Sequence, residues 1–455
     1  MTVTDALLWS GLSGRALVAD PDVAATYAVD ASLGSSAPAL FTVVRARDVA
    51  DVVEVLREAQ GRRVPVVPQG ARTSLAGGAT AREGSIVLNV EALDAIEEVN
   101  VLEGYAVVGP GTVNQELKAA AAAAGLFYPP DPASSATCTI GGNVATNAGG
   151  LCCVKYGVTA DYVKGLDVVL PGGELVRTGH RTLKGVAGYD LTGLFVGSEG
   201  TLGVVTSVVA KLIPAPDPAL TALATFSSLD AAAGAVVALR ADRHRPSLLE
   251  FLDRATIAAV QALADYGFPP DCAAALIVSS DRPGHTAEDV QRYAVLLGSA
   301  GATEVAVADD AQEADALLAG RRALHAALEA KGPHFVEDVC VPVGRLAELI
   351  RAGEEISARR GVEVTMSGHG GDGNLHPSLF FQPGDPASRH LAEEAFGELV
   401  GAALAMGGTI TGEHGIGSLK RRWLPQELGD SELARQRAVK AVFDPFGIMN
   451  PGAVF

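Results

Sequence analysis

The alternation of apolar and polar positions predicts short strands separated by amphipathic helices in the first half of the chain. Phe41 to Val44 and Val64 to Val67 predict strands, and between them Asp48 caps a helix that ends at Gly61. A second, alanine-rich helix is predicted from Val113 to Ala124. Further strands are predicted at Ile86 to Val90, Ala95 to Val101, Tyr105 to Val108, Leu166 to Leu170, Glu174 to Arg177 and Gly203 to Ile213.

The second half repeats this alternation after Pro214-Ala-Pro216, a sequence that predicts a domain boundary. Helices are predicted between the strands, for example from Asp230 to Arg240 and from Asp310 to Ala330. The pattern favours an α+β sheet with helices on one face. Strands are predicted at Thr221 to Phe226, Leu248 to Leu252, Ala274 to Ser279, Glu304 to Val307, Phe335 to Val341 and Val362 to Met366.

Two glycine-rich stretches interrupt the pattern in the first half. One follows a strand at Gly70 to Gly78, and the other, Thr137 to Gly150, lies in a long irregular segment from Pro129 to Gly157. Closely spaced glycines let backbone N–H groups approach a phosphate, and long irregular segments of compact domains are usually functional. Either stretch alone also fits an ordinary turn. Together, with Arg72 in one of them, they favour a cofactor that contains a diphosphate.

Other nucleotide-binding patterns fit poorly. Gly109-Pro-Gly111 lies between a strand and a helix, but Asn114 occupies the third glycine position of a nicotinamide fingerprint. A tight strand-to-helix turn is therefore the preferred interpretation. No GxxxxGK[ST] pattern is present, which excludes a phosphate-binding loop of the nucleoside triphosphatase type.

Composition narrows the classes of partner and compartment. The 455 residues are 48% hydrophobic and 19% charged, and 35 basic against 53 acidic residues give a net charge of −18. Such a charge disfavours nucleic acid. No apolar run reaches the roughly 18 residues of a membrane span, and Met1 to Ser10 does not resemble a signal peptide. We expect a cytoplasmic protein, leaving open attachment to the inner face of the membrane. Five cysteines, including the adjacent pair Cys152-Cys153, predict thiols rather than a disulfide framework or a metal–thiolate site.

Histidines framed by glycine and acidic residues predict a metal site in the second half. His369 and His376 flank a glycine-rich turn that can fold them toward each other, and Glu413 in a Gly-Glu-His-Gly sequence can complete a set of three ligands. His414 would then face a substrate. Nitrogen and oxygen ligands without thiolate suit Zn²⁺ or Mn²⁺. The alternative is an ordinary hydrogen-bonded histidine in each loop.

These motifs resemble a known family. Together with residues 188–204 and Asn450-Pro-Gly452, they are similar to the vanillyl-alcohol-oxidase-type flavoproteins, and within them to the branch of FAD-linked D-2-hydroxyacid dehydrogenases. That branch includes the glycolate oxidase FAD subunit, D-lactate dehydrogenase and D-2-hydroxyglutarate dehydrogenase. The resemblance spans residues 36–455. It implies an α+β fold with a two-part PCMH-type FAD-binding domain (36–214), an antiparallel-sheet cap that binds substrate (215–410), a C-terminal segment returning to the FAD domain (411–455) and an N-terminal helical segment (1–35).

The resemblance also assigns roles to individual residues. It implies that His369, His376 and Glu413 bind the metal, that His414 is the general base and that Arg321 binds the substrate carboxylate; a solvated helical arginine is the alternative for Arg321. Non-covalently bound FAD would be held by the following residues: Gly70, Ala71, Arg72, Thr73, Ser74, Gly77, Gly78, Pro130, Ser134, Thr137, Gly142, Asn143, Thr146, Asn147, Glu199, Gly200, Val205 and Asn450.

The implied chemistry is oxidation of a small D-2-hydroxy acid to the 2-oxo acid. The metal would lower the pKa of the substrate hydroxyl, His414 would take its proton, and the hydride would pass to flavin N5. Two alternatives stay open: an alcohol or phenol oxidase that uses oxygen, and a flavin subunit of a larger glycolate oxidase complex. The sequence also leaves open a homodimer and the electron acceptor, whether a quinone, a cytochrome, an electron-transfer flavoprotein or an iron–sulfur subunit.

Departures from the family pattern bear on the substrate. In the 2-hydroxyglutarate enzymes a threonine, a lysine and an asparagine contact the substrate at positions that correspond here to His325, Val336 and Ser378. Valine can neither donate a hydrogen bond nor carry charge, so a second carboxylate would lie against an apolar wall. We therefore expect a monocarboxylate such as D-lactate, glycolate or a longer D-2-hydroxy acid. A shift of this alignment by a few residues would bring His325 or Lys331 to that position instead.

Overall fold

The computed structural model describes residues 16–33 and 35–455, and these form two compact units. Unit 1 comprises the chain up to Gly149 together with Val158–Ala215 and Glu413–Phe455. Unit 2 comprises Gly150–Gly157 and Pro216–Gly412. Most of the helical segment expected over residues 1–35 lies outside the described residues; within residues 16–33 there is one short helix, Pro21–Ala25, capped by Asp20.

A three-stranded parallel sheet forms one part of unit 1. Phe41–Arg45 and Val66–Gln69 both pair with Ser85–Asn89, which lies between them. The helix Val49–Arg62 connects the first two strands, and its Asp48 cap is confirmed by the bond that the carboxylate accepts from the N–H of Asp51. Strands of this kind are covered on both faces, which explains their runs of β-branched residues. Val44, Val66 and Leu88 pack with this helix in one core cluster.

A five-stranded antiparallel sheet forms the second part of unit 1. Its strand order is Ile96–Asn100, Tyr105–Val108, Val204–Lys211, Val163–Val169 and Leu175–Gly179. The predicted hairpin of the first two strands is confirmed, with Asn100 opposite Tyr105. Leu126–Phe127 and Ile213–Pro214 form a separate small pair. The other helices of unit 1 are Asn114–Ala123, Ile140–Thr146, Leu191–Phe195 and Leu424–Phe443 (interrupted at Gly429), with 3₁₀ turns at Thr159–Tyr162 and Arg421–Trp423.

The segment after residue 443 returns to the parallel sheet. Asn450 N–H donates to the carbonyl oxygen of Val66 at 2.7 Å, and Val66 N–H donates to that of Ile448 at 2.8 Å. Met449 therefore forms a parallel bridge to Val66. These bonds place Asn450 beside the first residue of the strand that leads into the first glycine-rich loop.

Unit 2 is built on one antiparallel sheet. The strand order is Glu304–Val307, Leu220–Phe226, Ala274–Ser280, Leu248–Asp253, Val364–His369, Asn374–Phe380 and His334–Val336, and Val339–Cys340 also pairs with Asn374–Phe380. The helices are Cys153–Tyr156, Leu229–Ala241, Arg254–Leu263, Thr286–Ser299, Ala311–Leu317, Ala319–Arg322, Leu324–Lys331, Leu346–Arg360 and Pro386–Ala405, with a 3₁₀ turn at Val343–Arg345.

The expectation that helices cover one face of this sheet is wrong, because they cover both. Leu252 packs in a cluster with residues of the helix Arg254–Leu263. Met366 packs on the opposite side, where a Cβ on Gly353 of the helix Leu346–Arg360 would lie 3.3 Å from its Sδ. Leu252 pairs with Ser367, so these two side chains point to the same face of the sheet. Met366 directly precedes Ser367 and therefore points to the other face, so the two helices lie on different faces. The central strands Leu248–Asp253, Ala274–Ser280 and Val364–His369 are buried on both faces, so they lack the alternation that would indicate one covered face.

Three other local predictions need correction. The segment 129–157 is not irregular throughout, because Thr139 caps a helix at Ile140–Thr146 that ends at Asn147 with φ 53°. The single helix expected over residues 310–330 is three short ones. The strand Asn374–Phe380 was not expected, since glycines directly precede it.

All five cysteines are thiols. No helix in the described part of the chain combines the length and apolar composition needed to cross a bilayer.

Candidate functional site

The two glycine-rich stretches meet in unit 1. A Cβ on Gly70 would lie 2.3 Å from Thr139 Oγ1, so only glycine permits this approach. Thr139 in turn caps the helix that carries Gly142, Asn143 and Thr146. The base of the first loop is closed by Gln69, whose Nε2 donates to the carbonyl oxygens of Tyr27 at 2.8 Å and Ala79 at 2.6 Å. Two segments 70 residues apart in sequence therefore form one continuous cradle.

Arg72 shapes this loop through its backbone and is already ion-paired. Its φ is 61°, its Nη1 lies 3.2 Å from Glu91 Oε2, and its guanidinium lies 4.4 Å from the centre of the Tyr27 ring. The carboxylate of Glu91 offsets the charge of this side chain. Arg72 therefore offers a phosphate its backbone N–H more readily than an uncompensated positive charge.

Glu199 connects the first loop to the segment that follows His414. Its carboxylate accepts bonds from the backbone N–H groups of Ile416 at 2.7 Å and Gly417 at 2.8 Å. A Cβ on Gly417 would lie 2.0 Å from the carbonyl oxygen of Ala76, which shows how closely the two backbones approach. Burial raises the pKa of Glu199 from 4.5 to about 7, although the two N–H bonds act in the opposite direction.

Asn450 fixes the same region from the C-terminal segment. Its Nδ2 donates to the carbonyl oxygens of Gly78 and Glu199, both at 2.8 Å, while its φ is 40°. The structure thus brings together Gly78, Glu199 and Asn450, three residues that the resemblance assigned to FAD. Gly200 belongs to the same turn as Glu199, with φ 69°.

The remaining residues assigned to FAD lie on neighbouring elements of unit 1. Pro130 accepts a bond from Asn114 Nδ2 at 3.3 Å. Thr137 Oγ1 donates to the carbonyl oxygen of Ser134 at 3.2 Å in a turn of their own. Val205 pairs with Val168 in the antiparallel sheet. Thr137 is the first residue of the second glycine-rich stretch, and the carbonyl oxygen of Ser134 also accepts a bond from the N–H of Cys138 at 2.8 Å, so Ser134 is joined to that stretch.

Buried polar atoms suggest that a polar group fits this cradle. Gln69 Oε1, Asn114 Oδ1 and Asn450 Oδ1 are buried and accept no hydrogen bond from the described residues. Buried acceptors without donors are rare in folded proteins and call for a ligand or water. The residues present therefore fit a dinucleotide, whose hydroxyl and N–H groups are donors. By contrast, Gly109 and Gly111 form a tight turn, in which a Cβ would meet the carbonyl oxygens of Leu93 at 2.0 Å and Glu91 at 2.1 Å.

The two histidines predicted to bind metal lie on adjacent strands of unit 2. His369 ends the strand Val364–His369 and His376 lies on the next strand, with their ring centres 5.0 Å apart. Ser367 pairs with His376, so the two imidazoles share a face of the sheet. The turn between the strands was predicted to fold the histidines together, and it does.

Glu413 follows Gly412, whose position is fixed within unit 2. The carboxylate of Asp338 accepts bonds from the N–H of Gly412 at 2.6 Å and from Thr411 Oγ1 at 3.0 Å. His369, His376 and Glu413 form a candidate set of metal ligands. Two imidazole nitrogens and a carboxylate oxygen suit a divalent metal such as Zn²⁺. The residues therefore fit a metal ion by the chemistry of their donors.

Glu250 was not identified from the sequence, yet it contacts two of the predicted residues. Its Oε1 lies 2.6 Å from His369 Nδ1, and Arg321 Nε donates to its Oε2 at 2.6 Å. Glu250 is fully buried, and burial raises the pKa of its carboxyl, but its contacts with His369 and Arg321 outweigh burial and hold that pKa below its usual value. A lone glutamate in an apolar strand gave no signal beyond its polarity. Asp338 was missed for a similar reason, since nothing near it in sequence indicates its partner.

Arg321 is not a solvated arginine, which was the alternative left open by the sequence. Its side chain is 17% exposed and ion-paired with Glu250. Its two Nη groups donate no hydrogen bond to any residue that the structure describes. His325, in contrast, is 78% exposed beside Glu329, and Lys331 Nζ lies 2.7 Å from Glu363.

The two positions that bear on the substrate lie opposite each other. Val336 pairs with Ser378 across adjacent antiparallel strands. Ser378 is two residues beyond His376 on the same strand, so both lie on one face. An apolar side chain and a short hydroxyl therefore occupy this face beside a predicted metal ligand.

Comparison with known proteins shows the family to which this chain belongs. Residues 42–179 match the family model described as "FAD binding domain", and residues 215–454 match "FAD linked oxidases, C-terminal domain". The chain is 40% identical over 415 residues to "Glycolate oxidase subunit GlcD" of Bacillus subtilis (strain 168), which covers 91% of this chain and 88% of that protein. It is 33% identical over 426 residues to "D-lactate dehydrogenase" of Anaerostipes hadrus, covering 90% and 89%.

The fold is similar to that of a solved flavoprotein. The structure of p-cresol methylhydroxylase with substrate bound aligns with a TM-score of 0.78 at 17% identity, covering 97% of this chain and 94% of that one. At this identity the likeness concerns the fold alone. It confirms the expected fold class, an α+β protein with a PCMH-type FAD-binding domain.

Proposed function

Since the chain belongs to the FAD-linked oxidases and is an FAD-dependent oxidoreductase, we propose that it oxidises a small D-2-hydroxy monocarboxylate to the 2-oxo acid with the help of a divalent metal. The observation that carries this proposal is the short segment from Glu413 to Gly417. It begins with a predicted metal ligand, continues with His414 and reaches the first glycine-rich loop at Ala76. Four residues span at most about 14 Å, so the segment keeps the metal, a base and the flavin loop within reach of one small substrate.

Each residue has a distinct task in this proposal. Arg321 binds the substrate carboxylate through its two Nη groups, in the paired geometry that arginine offers to carboxylates. His414 takes the proton of the substrate hydroxyl, since an imidazole titrates near neutral pH. His369, His376 and Glu413 would hold the metal, which, when bound, supplies the positive charge that makes the hydroxyl more acidic. The cradle of unit 1 would hold FAD, which, when bound, would accept the hydride of the substrate carbon at its N5.

The names of the relatives agree with this substrate class. Glycolate oxidase and D-lactate dehydrogenase are named for 2-hydroxy monocarboxylates. In this chain Val336 and Ser378 would face the substrate tail, and neither carries charge. Lys331 is already paired with Glu363, so it does not provide the charge for a second carboxylate.

The predicted domain roles stay part of this proposal. Residues 36–214 and the C-terminal segment 411–455 would bind FAD, and residues 215–410 would bind substrate. A purely oxygen-using alcohol oxidase is less favoured, because such a reaction needs no metal ligands.

Anaerobic bleaching of the flavin tests the proposal. The purified protein should be yellow, release FAD on denaturation, and lose its flavin absorbance with D-lactate or glycolate while L-lactate has little effect. The His414→Ala variant should keep its flavin and its metal but bleach slower by roughly two to four orders of magnitude, the usual contribution of a general base. A flavin that no D-2-hydroxy acid reduces, or a His414→Ala variant at full speed, would overturn it. Such a result would leave the fold unaffected.

A further inference from the structure

Glu250 lies between two residues with different predicted tasks. Its carboxylate is fully buried on the strand Leu248–Asp253, with Oε1 2.6 Å from His369 Nδ1 and Oε2 2.6 Å from Arg321 Nε. We propose that Glu250 is a positioning residue that orients both the metal ligand His369 and the carboxylate-binding Arg321. This inference rests on the proposed function for the task of Arg321, but not for the geometry of His369.

The contact with His369 determines which ring nitrogen can bind a metal. An ionised carboxylate only accepts hydrogen bonds, so the proton of the neutral imidazole must reside on Nδ1. The lone pair is then on Nε2, the nitrogen that faces away from Glu250. Carboxylates that hold a metal-binding histidine in this way also fix the direction of its ring. Glu250 thus prepares His369 as a ligand before the ion arrives.

The contact with Arg321 determines which edge of the guanidinium is available. Nε is engaged by Glu250, while Nη1 and Nη2 have no acceptor among the described residues. A side chain with 17% exposure cannot sample many directions, so the paired Nη edge keeps one orientation. That edge is the one that matches a carboxylate with two parallel bonds. One buried carboxylate therefore sets the direction of both groups that would hold the head of the substrate.

A buried ion pair that serves only stability is the competing explanation, and Asp289 provides a matched case in the same unit. Its carboxylate is also buried, and it accepts bonds from Arg282 Nη2 at 2.7 Å, Arg282 Nε at 2.8 Å and Ser280 Oγ at 2.8 Å. No histidine is among these partners. Loss of this pair should affect folding but not metal binding.

The test compares Glu250→Gln with Asp289→Asn in the FAD-loaded protein. A glutamine amide cannot accept from both His369 and Arg321, because one of its two ends is a donor. Binding of Zn²⁺ alone is measured by competition with a chelator, and the unfolding midpoint is measured alongside. We expect Glu250→Gln to raise the dissociation constant for Zn²⁺ by about 10- to 100-fold. This variant should also raise KM for D-lactate and retain FAD. Asp289→Asn should lower the midpoint and leave the dissociation constant within about twofold.

A second variant covers a failure of Glu250→Gln to fold. Glu250→Asp keeps the charge but shortens the side chain by one methylene, so we expect a smaller loss of Zn²⁺ affinity. Unchanged Zn²⁺ affinity in every Glu250 variant that folds, an equal loss in Asp289→Asn, or a wild-type protein that binds no Zn²⁺ would overturn the inference. A different result would contradict the proposed function: a wild-type flavin that D-2-hydroxy acids do not reduce.

Discussion

The buried carboxyl of Glu199 should make the stability of unit 1 depend on pH. Its pKa is raised from 4.5 to about 7, mainly by burial. Below pH 4.5 the group carries its proton in the folded and unfolded chain alike. Between pH 4.5 and 7 the folded chain keeps a proton that the unfolded chain has released, so the free energy of unfolding falls as pH rises. A shift of about 2.5 pH units corresponds to roughly 3 kcal/mol, which is lost once the pH exceeds 7.

Replacing Glu199 by glutamine removes this titration while keeping the size of the side chain. The assay is urea unfolding of the flavin-free protein at pH 5, 6, 7 and 8. It is followed by tryptophan fluorescence, to which Trp423, buried in unit 1, contributes. Relative to wild type, Glu199→Gln should gain about 2.5 kcal/mol of unfolding free energy between pH 5 and pH 8, since a small part of the effect is already lost at pH 5. Because other groups titrate identically in both proteins, the difference isolates Glu199.

A salt control separates burial from surface charge. At about 1 M NaCl the screening length is roughly 3 Å, so surface pairs are weakened while the desolvation of Glu199 is not. The difference between the two proteins should therefore persist in high salt. Curves that run parallel from pH 5 to pH 8 would refute the reasoning, because they would show that Glu199 releases its proton at the same pH whether folded or unfolded.

Four further predictions concern the cofactor, the metal and the substrate. Gly70→Ala should reduce FAD content severely in a flavin assay, because its Cβ would lie 2.3 Å from Thr139 Oγ1. Gly61→Ala is the control and should retain FAD, because a Cβ there would meet nothing within 4 Å. Chelation should abolish turnover without releasing flavin, and Zn²⁺ or Mn²⁺ should restore it; full turnover in the chelated enzyme would exclude a metal role. Arg321→Lys should raise KM for D-lactate by at least about tenfold, since lysine offers a point charge instead of a paired edge, and an unchanged KM would remove Arg321 from the substrate site. The ratio kcat/KM should be at least about 100-fold higher for D-lactate than for D-2-hydroxyglutarate, because a second carboxylate near Val336 would be buried without a partner. A preference for the dicarboxylate would show that Val336 and Ser378 do not face the substrate tail.

The parts of the fold that sequence could predict are those set by local chemistry. Asp48 at the start of a helix and the hairpin turn after Asn100 depend on nearby residues, and both are found as expected. The helix Ile140–Thr146 was missed because its two glycines argue against a helix, while its stability depends on caps at Thr139 and Asn147. The two covered faces of the unit 2 sheet were missed because buried strands lose the alternation that reports a covered face.

In the candidate site too, the sequence predicted the residues whose partners are nearby in the chain and missed those whose partners are distant. His369 and His376 were found because a glycine-rich turn brings them together within eight residues. Glu250 and Asp338 were missed because their partners lie more than 70 residues away, at His369, Arg321 and Gly412. A carboxylate reveals such a role only through what the fold places beside it. Spacing within a motif identifies ligands, but the groups that orient those ligands come from elsewhere in the chain.

The bonds that join Ile448 and Asn450 to Val66 have a consequence for the order in which this chain folds during synthesis. Unit 1 lacks its bridge at Val66 until more than 380 further residues have been made, whereas every segment of unit 2 has been synthesised by Gly412. Contacts so distant in sequence form late, and domains fold as units when their segments are complete. Unit 2 should therefore fold on the ribosome while unit 1 still awaits residues 413–455, and the glycine-rich cradle should acquire FAD only after those residues have been synthesised.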